Sequence, residues 1–314
     1  MDGNELQKKI VGILTTQGNV TVSQLAKRLR VRPHSVRYQL DKLVESKSLE
    51  KSILVNQRAL GYQIFNLFFD LPASRARKGE EFLKNKEEVA WLTKNIGAQK
   101  YEMTLAVQDY STMWKLFRAL GDEVGTTPRN VVIAVEGEVM HWGLRCLTET
   151  FSSSPIAHFT TVSQNVSIDL LDRRIIHAFG SPNVSSFGSL ATKLGVSAST
   201  VKYRFERLRA DGVISDEGYF FRLPLNLFQA QLVIQLRSRT REIEDGIVSI
   251  CAKNPNVEGL ISGVGNWDFK ILIAAESLRE LLEVEDALVM ALGKRVLKHS
   301  MYIREKVIVK RSGV

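Results

Sequence analysis

Residues 25–43, LAKRLRVRPHSVRYQLDKL, and residues 190–208, LATKLGVSASTVKYRFERL, align without a gap at an offset of 165 positions. Seven positions are identical: Leu25/Leu190, Ala26/Ala191, Leu29/Leu194, Val31/Val196, Val36/Val201, Tyr38/Tyr203 and Leu43/Leu208. Ser35/Thr200, Arg37/Lys202, Asp41/Glu206 and Lys42/Arg207 exchange residues of similar chemistry. Each stretch reads as a short amphipathic helix, a tight turn and a second amphipathic helix with Arg, Lys, Tyr, Gln, Ser or Thr on its outer face. That is the layout of a helix-turn-helix, whose second helix can enter a major groove. The period is too long for a solenoid repeat and implies a tandem duplication of whole domains.

Composition sets the frame for this repeat. A chain of 314 residues exceeds what one core usually supports. Its 44% apolar and 25% charged residues are ordinary for a packed globular protein. The net charge of +9 argues for an anionic partner, nucleic acid ahead of a membrane surface. Cys146 and Cys251 stand far apart without metal-ligand spacing, as free thiols of a reducing compartment do. Neither a signal-peptide pattern nor a run of about 18 apolar residues is found. A cytoplasmic, nucleoid-associated protein with no membrane partner, no metal and no cofactor is therefore expected.

Leu6, Ile10, Ile13 and Leu14 mark one buried face of a first helix. Ser23 is the expected N-cap of a second, and Pro33 opens a third that runs to Ser46. A short wing follows, then a strand over 64–71, a helix over 74–95, a strand through Tyr101, Met103, Leu105 and Val107, and a helix over 113–124. Residues 130–147 read as two short strands divided near Gly137. Beyond a polar stretch the order begins again, with Ser189 or a neighbour capping a helix and a second wing over 218–221. The fold class is α+β: two winged helix-turn-helix domains (1–60 and 168–225) alternating with two ferredoxin-like βαββαβ sensing domains (61–150 and 226–314), with 151–167 as linker.

The segments LDRRIIHAF and SLATKLGVSASTVKYRFERLRADGVI, LVNQRALGYQIFNLFFDL, and GNWDFKILIAA at 265–275 resemble the Lrp/AsnC (feast/famine) transcription regulators, across nearly the whole chain and twice over. The resemblance implies a DNA-reading headpiece joined to an α/β ligand-sensing domain, and small effectors such as amino acids. Family members hold one copy per chain and dimerise through the α/β domain. Two fused copies therefore imply an internal pseudo-dimer, with further homo-oligomers built on the remaining surfaces. In the first copy the effector turn departs from the pattern, reading Gln99-Lys100-Tyr101-Glu102 with Gln where Gly is expected.

The candidate contacts to double-stranded DNA are Arg32, His34, Ser35, Arg37, Tyr38, Gln39 and Lys42 in the first copy. In the second they are Ser197, Ser199, Thr200, Lys202, Tyr203, Arg204 and Arg207. Lys and Arg neutralise phosphates, while Arg and Gln can address guanine and adenine edges. The competing reading is a solvated charged helix face, and Tyr38/Tyr203 could equally pack on the headpiece. The two faces differ, so an asymmetric operator is expected. For an effector the candidates are Gly263, Gly265, Asn266 and Asp268; a turn that needs glycine dihedrals explains the same residues without a ligand.

The five histidines are scattered, and HExxH, CxxC, GxSxG and P-loop patterns are all missing. The expectation is a DNA-binding regulator and not an enzyme. The alternative is an Lrp-like tetrapyrrole (sirohaem) decarboxylase. Those enzymes share the paired architecture and, as the resemblance implies, rely on His- and Arg-bearing segments, whereas the turns here read GAQKYEM and GNWDFKI. A third class, an interaction module retired from DNA, predicts eroded recognition faces, and these faces are intact.

Overall fold

The computed structural model describes residues 2–18, 20–46, 48–160, 165–179, 187–221 and 227–310. The first headpiece comprises α1 (Gly3–Gln17), α2 (Val22–Leu29), α3 (Pro33–Glu45) and β1 (Leu49–Val55). The first α/β unit follows as β2 (Gln63–Asp70), α4 (Ala76–Lys84), β3 (Val89–Ile96), β4 (Tyr101–Val107), α5 (Tyr110–Val124) and β5 (Arg129–His141). A short β6 (Ala157–Phe159) precedes the second headpiece, α6 (Leu170–Phe179), α7 (Phe187–Leu194), α8 (Ala198–Ala210) and β7 (Ile214–Phe221). The second unit is β8 (Phe228–Leu236), α9 (Arg241–Lys253), β9 (Val257–Gly265), β10 (Phe269–Ala275), α10 (Leu278–Leu292) and β11 (Val296–Lys310).

Apolar spacing builds both headpieces. Leu6, Ile10 and Leu14 of α1 meet Leu25, Val36 and Leu43 in one core; Ile175, Ile176, Leu190, Val201, Phe205 and Leu208 form the other. The N-cap of α2 is Thr21, not Ser23, because Thr21 and Gln24 satisfy each other's backbone in a capping box. Ser189 lies inside α7, and the residue before Phe187 lies outside the described residues.

The expected wings take an unexpected form. β1 and β7 pair antiparallel with each other, from Leu49↔Phe221 to Val55↔Ile214. A single shared ladder thus joins the headpieces. Leu49 of β1 enters the first headpiece core and Ile53 the second.

Each α/β unit is a βαββαβ sheet, with order β5-β2-β4-β3 in one and β11-β8-β10-β9 in the other. β3 then pairs with β11, and β9 with β5, so eight antiparallel strands close into a ring. Period-two alternation sends Leu67, Phe69, Met103 and Leu105 outward beneath α4 and α5, with Leu83, Leu116 and Leu120 packed on them. Leu232, Ile234, Ile271 and Ile273 do the same beneath α9 and α10. The alternate residues face the ring interior, where buried polar Asn66, Glu102, Gln231 and Lys270 lie beside an apolar cluster of Phe68, Val233, Ile261, Trp267 and Tyr302.

Three boundaries depart from the sequence reading. The helix expected over 74–95 ends at Lys84; Val89–Ile96 is strand β3, whose β-branched and aromatic residues suit a sheet better than a helix. The two strands expected over 130–147 are one long strand ending at His141, with a register shift between Glu136 and Val139. The segment read as a linker is partly built in: β6 pairs with β5, and Trp142 donates from Nε1 to the Ser153 carbonyl at 2.8 Å. Residues 161–164 of that segment lie outside the described residues.

The first headpiece is fastened to the second unit by the stretch after β5. Leu144 and Leu147 enter its core beside Leu227 and Ala274. Arg145 is buried and donates to the carbonyls of Ala252 (2.6 Å), Cys251 (2.9 Å), Asn254 (2.7 Å) and Val257 (3.0 Å), closing the C-terminal end of α9.

Candidate functional site

In both headpieces the turn between the two signature helices requires a left-handed residue. Arg30 supplies it at φ 53° in the first and Gly195 at φ 70° in the second. The second helix of each pair then presents its outer face. Arg32, His34, Arg37, Tyr38 and Lys42 are exposed on α3 and the turn before it; Ser197, Ser199, Lys202 and Tyr203 are exposed on α8 and its cap. Tyr38 is 65% exposed and Tyr203 67%, so neither packs on its headpiece. Ser35 and Thr200 are half-buried at the helix starts.

Six of the sequence-derived DNA contacts are engaged inside the headpieces. Gln39 accepts from Gln7 Nε2 at 2.8 Å, tying α3 to α1. At the corresponding positions of the second copy, Arg204 reaches the buried Asp172 at 3.2 Å, and it also pairs with Asp169 at 2.6 Å. Arg207 holds the other oxygen of Asp172. A carboxylate with no exposed surface needs such partners, which makes these arginines pillars of the headpiece. The backbone amide of residue 172 and the Arg204 guanidinium hold the Asp169 carboxyl below its usual range. Ser197 caps α8 by accepting from the Thr200 amide at 3.1 Å, and its hydroxyl also bonds the hydroxyls of Ser199 and Thr200. In the first copy Arg32 makes no such cap, and Pro33 starts the helix instead. The sequence repeat could have disclosed the α1–α3 and α6–α8 ties, since position 7 aligns with 172 and 39 with 204.

Inside the ring lies a polar cluster that pattern reading missed. Lys270 Nζ is 3.0 Å from Glu102 Oε1 and 3.0 Å from Glu136 Oε1. Glu102 also accepts from Asn66 at 2.9 Å, from Thr93 at 3.2 Å and from Gln231. Arg58, in the short 3-10 turn between β1 and β2, reaches Glu136 at 3.3 Å. Burial raises the Glu102 carboxyl, but Lys270, Gln231, Arg304 and Asn66 outweigh it, and the group sits below the usual carboxylate range. Burial likewise lowers the Lys270 ammonium, yet Glu136 and Glu102 outweigh it and raise the group. Glu258 differs: burial dominates over Arg304 and Gln229 and pushes its carboxyl up. Among the described residues no group of three or more His, Cys, Asp or Glu side chains is placed to hold a metal ion.

A cleft of about 170 Å³ opens between the two units. The β3–β4 turn contributes Gln99, the β9–β10 turn Asn266 and Trp267, and β11 contributes Lys298, His299 and Tyr302. Burial pushes the Tyr302 phenol up to about 12, so it stays protonated and donates to Gln99 Oε1. Of the four residues named for an effector, only Asn266 borders this cleft. Its side chain accepts from the Ile133 amide and its own amide donates to the Ile133 carbonyl, both at 2.9 Å, clasping β5. Gly263 lies against Trp267, where an added β-carbon would come within 2.3 Å of the ring. Gly265 has φ 146°, and a β-carbon there would approach the Ile133 carbonyl oxygen to 2.5 Å. Asp268 accepts from the Leu236 amide at 2.7 Å. These residues therefore serve the turn and the seam between the units.

Strand register also corrects the reading of the first turn. Tyr101 and Phe269 each open the third strand of their unit, so Gly97 stands where Gly265 stands and Gln99 where Trp267 stands. The glycine is present, and it packs on β11: an added β-carbon would lie 2.8 Å from the Tyr302 ring.

Winged helix-turn-helix DNA-binding domains match residues 168–215 as a family. No curated protein matches the chain. Among solved structures, the sirohaem decarboxylase NirDL superposes with TM-score 0.61 at 13% identity, over 97% of this chain and 92% of that one. Its complex with an iron-uroporphyrin III analogue gives TM-score 0.60 over the same shares, also at 13% identity. E. coli AsnC covers 46% of this chain and 97% of its own at 19% identity, with TM-score 0.36. The first two show a shared full-length fold, in which a winged helix-turn-helix and ferredoxin-type sheet units combine. They also overturn the expectation that this chain is not an enzyme, because an enzyme carries the same architecture end to end. The two turns carry no His, and His299 of β11 lines the same cleft as both of them.

Proposed function

We propose that the chain is a sequence-specific DNA-binding transcription regulator whose two headpieces act as an internal pseudo-dimer, with the cleft between the α/β units as its sensing site. The observation that carries this reading is the matched pair of unengaged faces. Tyr38 and Tyr203 project to nearly the same extent, each preceded by an exposed cation, Arg37 or Lys202, with no partner among the described residues. Leaving these side chains in solvent in both headpieces has no packing rationale, and a phosphate backbone supplies one. The net charge of +9 agrees. The shared β1–β7 ladder couples the headpieces, so both helices address one duplex together. Arg32 and His34 against Ser197 and Ser199 would read unlike half-sites. The test is selection of fragmented genomic DNA by the purified chain at physiological salt. Enrichment of sites with two related half-sites supports the reading, and uniform or absent retention refutes it.

A second reading is favoured by the full-length likeness to a sirohaem decarboxylase: decarboxylation of a tetrapyrrole between the units. Spectral titration with an iron-uroporphyrin, followed by a search for released carbon dioxide, tests it directly.

A further inference from the structure

We infer that the cleft between the two units binds a small carboxylate lacking an ammonium group, a short-chain 2-oxo acid being the type. The inference rests on reading this cleft as a sensing site and is independent of the headpieces.

Size comes first. The cleft holds about 170 Å³. An apolar cavity of about 150 Å³ accommodates benzene, whereas drug-sized ligands need roughly 300–1,000 Å³. A ligand of about six to nine non-hydrogen atoms fits within it.

Charge selects the ligand's sign. Lys298 and His299 are adjacent on β11 and both line the cleft, while no Asp or Glu does. His299 Nε2 has Glu285 of α10 at 3.9 Å. Lys298 has no carboxylate partner among the described residues. An anion is favoured here, and an ammonium has no carboxylate among the lining residues to pair with.

A buried donor fixes the orientation. Trp267 has no exposed surface, and its indole N–H has no hydrogen-bond partner among the described residues. An orphaned buried donor is costly, about 1–3 kcal/mol, and an acceptor oxygen delivered into the cleft removes that cost. Gln99 Oε1 is occupied by the Tyr302 hydroxyl, which leaves its amide nitrogen as a further donor. Val132 and Val233 supply an apolar wall for a short alkyl chain. A carboxylate on Lys298, a second oxygen toward the indole and an aliphatic tail on the valines use these features together.

The experiment is calorimetric titration of the full chain, without DNA, using 4-methyl-2-oxopentanoate, 2-oxobutanoate, L-leucine and inorganic phosphate. The 2-oxo acids are expected to bind, with L-leucine and phosphate at least about tenfold weaker. Lys298→Ala, an exposed position, should weaken the 2-oxo acids about tenfold or more, and Trp267→Phe should weaken them while keeping the ring packed. No binding by either 2-oxo acid, equal binding of L-leucine or phosphate, or undiminished affinity in both variants overturns the inference. Operator affinity measured with and without the bound 2-oxo acid then tests the regulatory reading separately. A ligand that binds without changing that affinity refutes the regulation and leaves the site standing.

Discussion

Lys270 and Glu102 occupy the same place in their respective units, the second residue of the third strand, and their side chains meet at 3.0 Å across the ring. Equivalent positions carry opposite charges. A pair of first units would set Glu102 against Glu102, and a pair of second units Lys270 against Lys270. The interior thus favours the pairing of unlike halves that a fused chain provides.

Lys270→Met leaves Glu102 and Glu136 buried without their shared cation. Breaking such a pair costs about 3–5 kcal/mol. Urea denaturation at neutral pH should show that loss, and adding Glu102→Gln to Lys270→Met should recover part of it.

The two perturbed carboxylates give opposite pH signatures. Glu102 is held below 4.5, so its contribution is full above that value and is lost as the pH falls through its folded-state value. Glu258 is held above 4.5; its contribution is present below that value and is lost as the pH rises through its folded-state value. Relative to the parent, Glu258→Gln should gain stability as the pH rises above 4.5, whereas Glu102→Gln should lose stability there and converge with the parent in acid. Melting temperatures from pH 3 to pH 8, an interval on the order of five units around the carboxylate range, check both.

In DNA binding, Arg37→Ala and Lys202→Ala should each lower operator affinity and reduce the salt slope by about one phosphate contact. Arg204→Ala should act differently. It strips a partner from the buried Asp172, so the second headpiece melts earlier before any change in salt slope is seen. Titrations at several salt concentrations, with circular dichroism melts, separate the two behaviours.

Arg30 occupies a left-handed turn position that Gly195 fills in the second headpiece. Arg30→Gly relieves the side-chain penalty at that φ, and a gain of about 1 kcal/mol in thermal or chemical denaturation is expected.

The headpieces were legible because their signal is local. A repeat such as Val36/Val201 with Leu43/Leu208 fixes a buried helix face without reference to the rest of the chain. The βαββαβ order was also readable, but not the β3 boundary, since Val89 and Leu92 continue the helical spacing begun by Phe82 although their residue types suit a strand better. The ring interior was out of reach. Glu102, Glu136 and Lys270 look like surface charges in one dimension, and only the β3–β11 and β5–β9 pairings enclose them. Arg204 misled for the converse reason: its partners, Asp169 and Asp172, lie two helices earlier, at the start of the same headpiece. The cleft draws on turns and a strand more than 160 residues apart, so no local motif could mark it.

The ring closes through two seams, β3–β11 and β5–β9. β3 meets β11 with register shifts at Arg304/Lys306 and Val307/Val309, and β5 meets β9 with a shift at Glu136/Val139. Within the units only the central ladders β8–β10 and β2–β4 run without interruption, whereas β8–β11, β9–β10, β2–β5 and β3–β4 each carry a shift. Irregular ladders open at lower free energy than regular ones. Amide protons of the two central ladders should therefore exchange with solvent last, leaving one protected strand pair at the heart of each unit after the seams and outer ladders have opened.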